Sequence, residues 1–377
     1  MTSRIGILGG GQLARMTAYA AFRLGFQVGI LEREEESPAS FLTPNSWVGS
    51  WNDQQLLDEL ATYADVVTLE NEFVDGEALT YLESCGVHLY PSARTLATIQ
   101  DKFLQKTALK RAGLPVPRFA AVESPPEILD CARSFGWPLM LKARRNGYDG
   151  YGNELLRTPE DVIPAFEKLA RRSGLLMVEE FVPFTKELAI MVARSSHGDE
   201  TAYPVVETIQ HAHMCHTVLA PAAISENSIR RASELGKRIM TSLDAVGIFG
   251  IELFLMTDGD LMINEIAPRP HNSGHFSIEG CFTSQFENHV RSIVGLPLGS
   301  TQMVAPAAVM VNVLGTNEGP AQPKGLTEAL SIPGAHVHLY GKKMSRPGRK
   351  MGHVTATGQT VAEAREIALR AARLIMI

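Results

Sequence analysis

Two apolar runs, residues 249–256 and 261–266, flank Thr257-Asp258-Gly259-Asp260, and an Asp-Gly pair between such runs is the strongest short-range signal for a β-hairpin. A two-residue turn at Asp258-Gly259 pairs Met256 with Leu261, Phe254 with Ile263 and Glu252 with Glu265. Two carboxylates placed directly opposite, with Cβ atoms about 5 Å apart, destabilise a sheet unless a cation lies between them. The flanking residues are apolar, so the pair suits a magnesium ion that also holds nucleotide phosphates. The bland alternative is two partly exposed glutamates at a fraying hairpin end.

The rest of the chain divides around this hairpin. Residues 4–8 form a short apolar run ending in Gly9-Gly10-Gly11, residues 12–24 have helical spacing and stop at Gly25, and residues 26–31 form a second strand ending at Glu32. Residues 66–70 and 87–90 add two strands with helices between them, which implies a parallel sheet with helices on its faces. A helix over 100–112 follows, with Asp101 near its start, Gly113 and Pro115 at its end, and Lys102 and Lys106 one turn apart. The pattern then changes to strands with longer connections: 138–143, 175–181, 188–193 and the hairpin. A last change comes near Pro297, and a Thr360-x-x-Glu363 capping box opens a helix over 360–373. The predicted domains are 1–98, 99–296 and 297–377, an arrangement of α/β and α+β parts.

Lys plus Arg number 35 and Asp plus Glu 41, a formal charge of −6 over 377 residues, which argues against a nucleic-acid or membrane-surface role. Four scattered cysteines without a C-x-x-C pair argue against a disulfide framework or zinc site and fit a reducing cytoplasm. No apolar run reaches the roughly 20 residues of a membrane helix, and the first residues lack the features of a signal peptide, so a cytoplasmic location is expected.

Several further segments carry chemistry. Gly9 to Ala14 reads as G-x-G-x-x-A after a strand, with Glu32 ending the next strand. It fits a nicotinamide dinucleotide, a plain close-packing turn, or a helix N-terminus holding some other phosphate. Lys142 ends a strand before Asn146-Gly147-Tyr148-Asp149-Gly150-Tyr151-Gly152-Asn153, whose glycines let backbone amides fold over phosphates; a plain hairpin turn needs fewer. Glu179-Glu180-Phe181-Val182 can offer backbone groups to an adenine edge and Glu187 can accept from ribose hydroxyls, but taken alone a solvated strand end is the safer reading. The loop Pro268-Arg269-Pro270-His271-Asn272-Ser273-Gly274-His275 is too polar to serve packing alone. Lys342-Lys343 and Arg346-Pro347-Gly348-Arg349-Lys350 gather cations that could bind a phosphate. The spacing of His211, His213 and His216 suits neither one strand face nor a helical zinc motif.

Taken in order, Lys102, Lys142, the glycine loop, Glu179 to Val182, Glu187, Glu252 and Asn264-Glu265 resemble the ATP-grasp superfamily. Within it, Gly9 to Leu13, Gly147-Tyr148-Asp149-Gly150, Asn264 to Arg269, His271 to His275 and Arg346 to Lys350 are similar to the 5-(carboxyamino)imidazole ribonucleotide synthetases, the ATPase subunit of phosphoribosylaminoimidazole carboxylase. The resemblance covers nearly the whole chain. It implies an N-terminal Rossmann-like pre-ATP-grasp domain, an ATP-grasp domain, a small C-terminal domain and a homodimer. It implies that ATP phosphorylates bicarbonate and that the carboxyphosphate carboxylates the amine of 5-aminoimidazole ribonucleotide. Lys102, Lys142 and the 147–153 loop would then contact phosphates; Glu179 to Val182, Glu187, Gln210, Asn264 and Glu265 would complete the ATP site; Glu252 and Glu265 would hold Mg2+. Gly11, Gln12, Leu13, Glu72, His271, Asn272, Arg346, Arg349 and Lys350 would bind the ribonucleotide, and Lys142, Tyr148, Asp149, Arg269 and Lys342 would serve the chemistry. Four departures stand out: Lys102 where Arg is commoner, Asn71 and Phe73 swapped, Gln210 where His is common, and Tyr151 where the loop usually carries Arg or Lys. The rivals are a formate-dependent glycinamide ribonucleotide transformylase, a nicotinamide oxidoreductase and a silent ATP-binding protein.

Overall fold

The N-terminal alternation of strand and helix produces the parallel sheet it implies. In the computed structural model, which describes residues 4–147, 152–171, 173–211 and 214–377, five strands lie in the order Ser46–Val48, Gln27–Glu32, Arg4–Leu8, Val66–Leu69, His88–Tyr90, each parallel to its neighbour. Strand Ser46–Val48 is absent from the sequence reading, because three residues are too few to show a period. Ile5, Ile7, Ala14, Ala18 and Val28 bury one face of the sheet together with Val290 and Ile293 of the helix Gln285–Ile293, so this domain is packed on the next one.

The helix expected over 100–112 is Lys102–Arg111, and a separate helix that the sequence reading lacks, Ala93–Gln100, meets it at Asp101. Asp101 is extended (φ −102°, ψ 108°), and its carboxylate accepts from the amides of Phe103 at 3.0 Å and Leu104 at 3.3 Å. It is therefore an N-cap, and the helical spacing just before it belongs to a separate element.

Two antiparallel sheets follow. A four-stranded sheet runs Phe119–Val122, Leu176–Glu180, Leu139–Ala143, Asn153–Leu156. A nine-stranded sheet runs Leu261–Ala267, Gly247–Met256, Phe184–Arg194, Val206–His211, Met214–Ala220, Ala307–Leu314, Lys350–Gly358, Ala335–Leu339, with Glu200–Ala202 alongside Phe184–Arg194. The C-terminal strands are thus continuous with the central sheet, through the pairing of Met214–Ala220 with Ala307–Leu314. The closing helix, Val361–Leu374, is capped by Thr360, whose hydroxyl accepts from Glu363 N; the Glu363 carboxylate reaches Gln359 N rather than Thr360 N. Among the described residues no helix is long and apolar enough to cross a membrane.

Candidate active site

The hairpin does bring Glu252 opposite Glu265, but by a route that the two-residue turn does not predict. Gly259 is left-handed (φ +84°) and donates to Met256 O at 3.0 Å, while Met256 N donates to Asp260 O at 2.8 Å. This glycine-bulge turn pairs Leu255 with Leu261, Phe254 with Met262 and Leu253 with Ile263, one residue away from the expected register. The register then shifts: Asn264 has no partner, and Glu252 meets Glu265. A β-bulge thus restores the pairing that the turn alone would have lost.

The pair sits in a dense field of charge. Burial, followed by Glu265 and Glu187, pushes the Glu252 carboxyl up to about 7. Asn264 Nδ2 donates to Glu252 Oε2 at 3.1 Å, and His271 Nε2 lies 3.7 Å from Glu252 Oε1. Lys102 Nζ lies 2.5 Å from Glu265 Oε1. Beside them, strand Leu139–Ala143 delivers Lys142 and strand Leu176–Glu180 delivers Glu179. Glu179 Oε2 lies 2.8 Å from Lys142 Nζ, and its Oε1 lies 3.2 Å from Lys106 Nζ. Burial opposes every charge in this triad. Even so, the two lysines hold Glu179 below the usual carboxylate range, and Glu179 holds Lys142 above the usual amine range. Lys106 is pushed down to about 8, by burial and the neighbouring Lys142 and Lys102. Sequence reading noted Lys106 only as a neighbour of Lys102. Two like charges one helical turn apart repel without acidic partners, and that is the signal that could have singled it out.

Glu179 is therefore committed to lysines, and Glu180 to Arg118, whose Nε lies 2.5 Å from it. Phe181 is partly exposed and Val182 buried, so this segment presents backbone and apolar surface rather than carboxylates. Gln210 Nε2 donates to Glu187 Oε2 at 2.9 Å, which joins two of the expected nucleotide residues. Lys142 faces Asn153 in register, and Ala143 N donates to Gly152 O at 2.8 Å, closing the neck of the glycine loop. Tyr148, Asp149, Gly150 and Tyr151, like His213, lie outside the described residues.

Between this cluster and the N-terminal domain lies a cavity of about 340 Å3, lined by Glu72, Lys102, Arg145, Asn146, Gly147 and Glu265, among others. Arg269 grips Glu72 with two donors, the Nη2 contact at 2.9 Å, and outweighs the burial that would otherwise raise the Glu72 carboxyl. The glycine turn behaves differently from a dinucleotide site. Gly10 N donates to Glu32 Oε2 at 2.5 Å and Leu13 N to Glu70 Oε1 at 3.3 Å, so both acids face their own turn. A Cβ on Gly11 would collide with the Glu70 carboxylate, which explains that glycine. An acid already stands where a pyrophosphate would bind. Beside this turn passes the C-terminal loop: Tyr340 packs with Leu13 and Met16, Lys343 contacts Glu36, and Lys342 Nζ donates to Lys350 O at 2.7 Å. Arg349 Nη1 donates to Met344 O at 2.7 Å, and Arg349 N donates to Arg346 O at 3.0 Å, which shapes the cationic turn. Asn272 is buried and exchanges amide hydrogen bonds of 2.9 and 2.7 Å with Asn312, so its side chain serves the seam between segments.

Comparison with known proteins agrees with this geometry. Residues 1–100 match the ribonucleotide synthetase preATP-grasp domain, 107–286 the ATP-grasp domain, and 308–367 the phosphoribosylaminoimidazole carboxylase C-terminal domain. Over 352 residues the chain is 42% identical to the N5-carboxyaminoimidazole ribonucleotide synthase of Synechococcus elongatus, covering 93% of this chain and 88% of that one. It is 43% identical over 367 residues to the phosphoribosylaminoimidazole carboxylase of Ogataea methanolica, of which it spans 67%. The crystal structure of the synthetase from Thermotoga maritima superimposes with a TM-score of 0.89 at 42% identity over 99% of each chain. A synthase from Aspergillus clavatus, in complex with ADP and 5-aminoimidazole ribonucleotide, superimposes with a TM-score of 0.90 at 37% identity over 99% of this chain and 98% of that one. The chain belongs to the N5-carboxyaminoimidazole ribonucleotide synthases, the ATP-dependent carbon–nitrogen ligases of purine biosynthesis built on the ATP-grasp fold.

Proposed function

We propose that this chain carboxylates the exocyclic amine of 5-aminoimidazole ribonucleotide with bicarbonate and ATP, releasing ADP and phosphate. The observation that carries the reading is the Glu252–Glu265 pair, with Lys102 against Glu265 and both of these lining a cavity that Glu72 of the N-terminal domain also lines. The γ-phosphoryl group passes to a bicarbonate oxygen; the amine then attacks the carboxyl carbon, phosphate leaves, and the amine gives up a proton. Lys102 and Lys142 hold the phosphates while Glu179 keeps Lys142 aimed and charged. The backbone of residues 180–182 meets adenine, and Glu187, oriented by Gln210, takes the ribose. Arg269 fixes Glu72 in the cavity wall next to the amine. Glu70 occupies the glycine turn, so Lys342, Arg346, Arg349 and Lys350 carry the binding of the ribonucleotide phosphate, with Gly11, Gln12 and Leu13 as its backing.

The carboxylate pair fits magnesium. Glu252 is pushed up to about 7 by burial and its acidic neighbours, the mark of negative charge without enough compensation. Glu252 and Glu265 would hold the ion as a pair of oxygen donors, the ligand type that magnesium favours at nucleotide sites. Bound there, the ion would neutralise charge on the transferring phosphoryl group. As the family resemblance implies, we place the enzyme in the cytoplasm as a homodimer. The deciding experiment mixes the protein with ATP, magnesium and bicarbonate and follows ADP release. Release should depend on 5-aminoimidazole ribonucleotide. Turnover with formate and glycinamide ribonucleotide instead, or nicotinamide reduction by a 2-hydroxy acid, would overturn the assignment.

A further inference from the structure

Helix Lys102–Arg111 does more than deliver Lys102. Strand Leu261–Ala267 is an outer strand of its sheet, so one row of its backbone groups has no neighbouring strand. Pro115 O accepts from Ile263 N at 2.9 Å, and the helix supplies the partners of residues 264–266. Gln105 Nε2 donates to Ile266 O at 3.2 Å and its Oε1 accepts from Ile266 N at 3.1 Å. Lys106 Nζ donates to Asn264 O at 3.0 Å and lies 3.5 Å from Ile263 O. Successive carbonyls of a regular strand point to opposite sides, whereas these two face one ammonium; that is the bulge seen from its outer edge. The same ammonium lies 3.2 Å from Glu179, whose other oxygen holds Lys142. Lys106 is 2% exposed. A buried ammonium is costly, and methionine would fill the same space without that cost, but it would leave both carbonyls without a donor.

We propose that Lys106 is a positioning residue for the ATP site: its ammonium pins the Asn264 bulge and so keeps Glu265 opposite Glu252, in line with Lys142 across Glu179. Without the pin, the register of the turn end runs on. Glu252 then meets Asn264, and Glu265 turns to the other face of the sheet. The inference rests on the reading that these carboxylates hold magnesium with nucleotide.

The test compares the full-length protein with Lys106→Met by calorimetric titration with magnesium–ADP and by amide hydrogen exchange over residues 263–266. Loss of a residue that orients a metal ligand costs about tenfold to a hundredfold in affinity. Lys106→Met should weaken magnesium–ADP by that factor and speed exchange over 263–266, with KM for 5-aminoimidazole ribonucleotide changed by no more than about twofold. Unchanged affinity and exchange would overturn the inference. Repeating the substitution in a Glu179→Gln background separates the pin from simple neutralisation of Glu179. A further loss of about tenfold in that background supports the pin; no further loss overturns it. A parent protein that fails to bind magnesium–ADP would sink the functional reading instead.

Discussion

Arg144 and Arg145 are neighbours with different duties. Arg144 donates to both oxygens of Asp101, at 3.0 and 2.6 Å, and its guanidinium lies over the Phe103 ring. Arg145 has a side chain 48% exposed, approaches Asp101 no closer than 3.7 Å, and lines the cavity. Asn146, left-handed at φ +61°, turns the chain directly after it. Arg145 is therefore a partly exposed cation of the cavity wall, and we propose that it meets charge developing on carboxyphosphate, a duty that a neutral phenol at Tyr151 cannot perform. Arg145→Ala should lower kcat by about tenfold or more, and Tyr151→Arg in that background should restore part of it. Steady-state kinetics at saturating ATP decide the matter, and full activity in Arg145→Ala rules the role out. If Glu265 holds magnesium as proposed, Glu265→Gln should cut turnover by at least about a hundredfold. Its metal-free stability should stay within about 1 kcal/mol, since the lost contact to Lys102 is balanced by relief of Glu252. A variant retaining full activity at low magnesium would refute the metal role. At this scale the sequence showed which residue types converge but not which contacts they keep. Glu179 reads as a strand-end acid, and only the fold reveals Lys106 and Lys142 on either side of it.

Among elements, Asp101 joins two helices and a loop. Its carboxylate caps Lys102–Arg111, through the amides of Phe103 and Leu104, and anchors Arg144 at the entrance to the glycine loop. Lys102 is the first residue of that helix, so loss of the cap loosens the residue proposed to hold a phosphate. Asp101→Ala should cost about 2–3 kcal/mol, the sum of a lost cap and a lost charged hydrogen bond. Asp101→Asn keeps the cap and should cost about half as much. Urea unfolding of the two variants checks the order, and equal costs would argue that the cap contributes nothing. Local signals of this kind were readable in advance. Capping acids, terminal glycines and the Asp-Gly turn locate element ends within a residue or two. The bulge was not readable, because nothing in residues 261–267 distinguishes seven residues in regular pairing from six plus one extra. Its cause lies in Gln105 and Lys106, more than 150 residues away along the chain. Glu252 and Glu265 were paired correctly in advance through a turn that the chain does not use.

For the molecule as a whole, the seams between domains are sealed by neutral histidines. His289, on the helix that docks against the N-terminal sheet, accepts from Ile248 N at 3.2 Å and lies 2.9 Å from Thr68 Oγ1. His353 stacks on His338 with ring centroids 4.4 Å apart, bonds Tyr340 Oη through Nδ1 at 3.0 Å, and lies 5.0 Å from His275. Burial pushes His289 down to about 4 and holds His275 and His353 well below the usual imidazole range. An unfolded chain takes up protons at these residues near pH 6.5, while the folded chain does not. Their contribution to stability is therefore full above pH 6.5 and declines as the pH falls below it, by about 1 kcal/mol between pH 6.5 and 5.5 for His289, with His275 and His353 acting in the same direction. Domain-level sequence reading could not anticipate this, since no spacing relates Thr68 to His289 or His275 to His353. Replacing His353 with Gln removes one titrating group. The variant should be less stable at pH 7, yet lose less stability than the parent between pH 6.5 and 5.5. Urea unfolding at the two pH values measures both numbers, and an identical pH-dependent loss in parent and variant would show that His353 does not hold its neutral form at the price of acid stability.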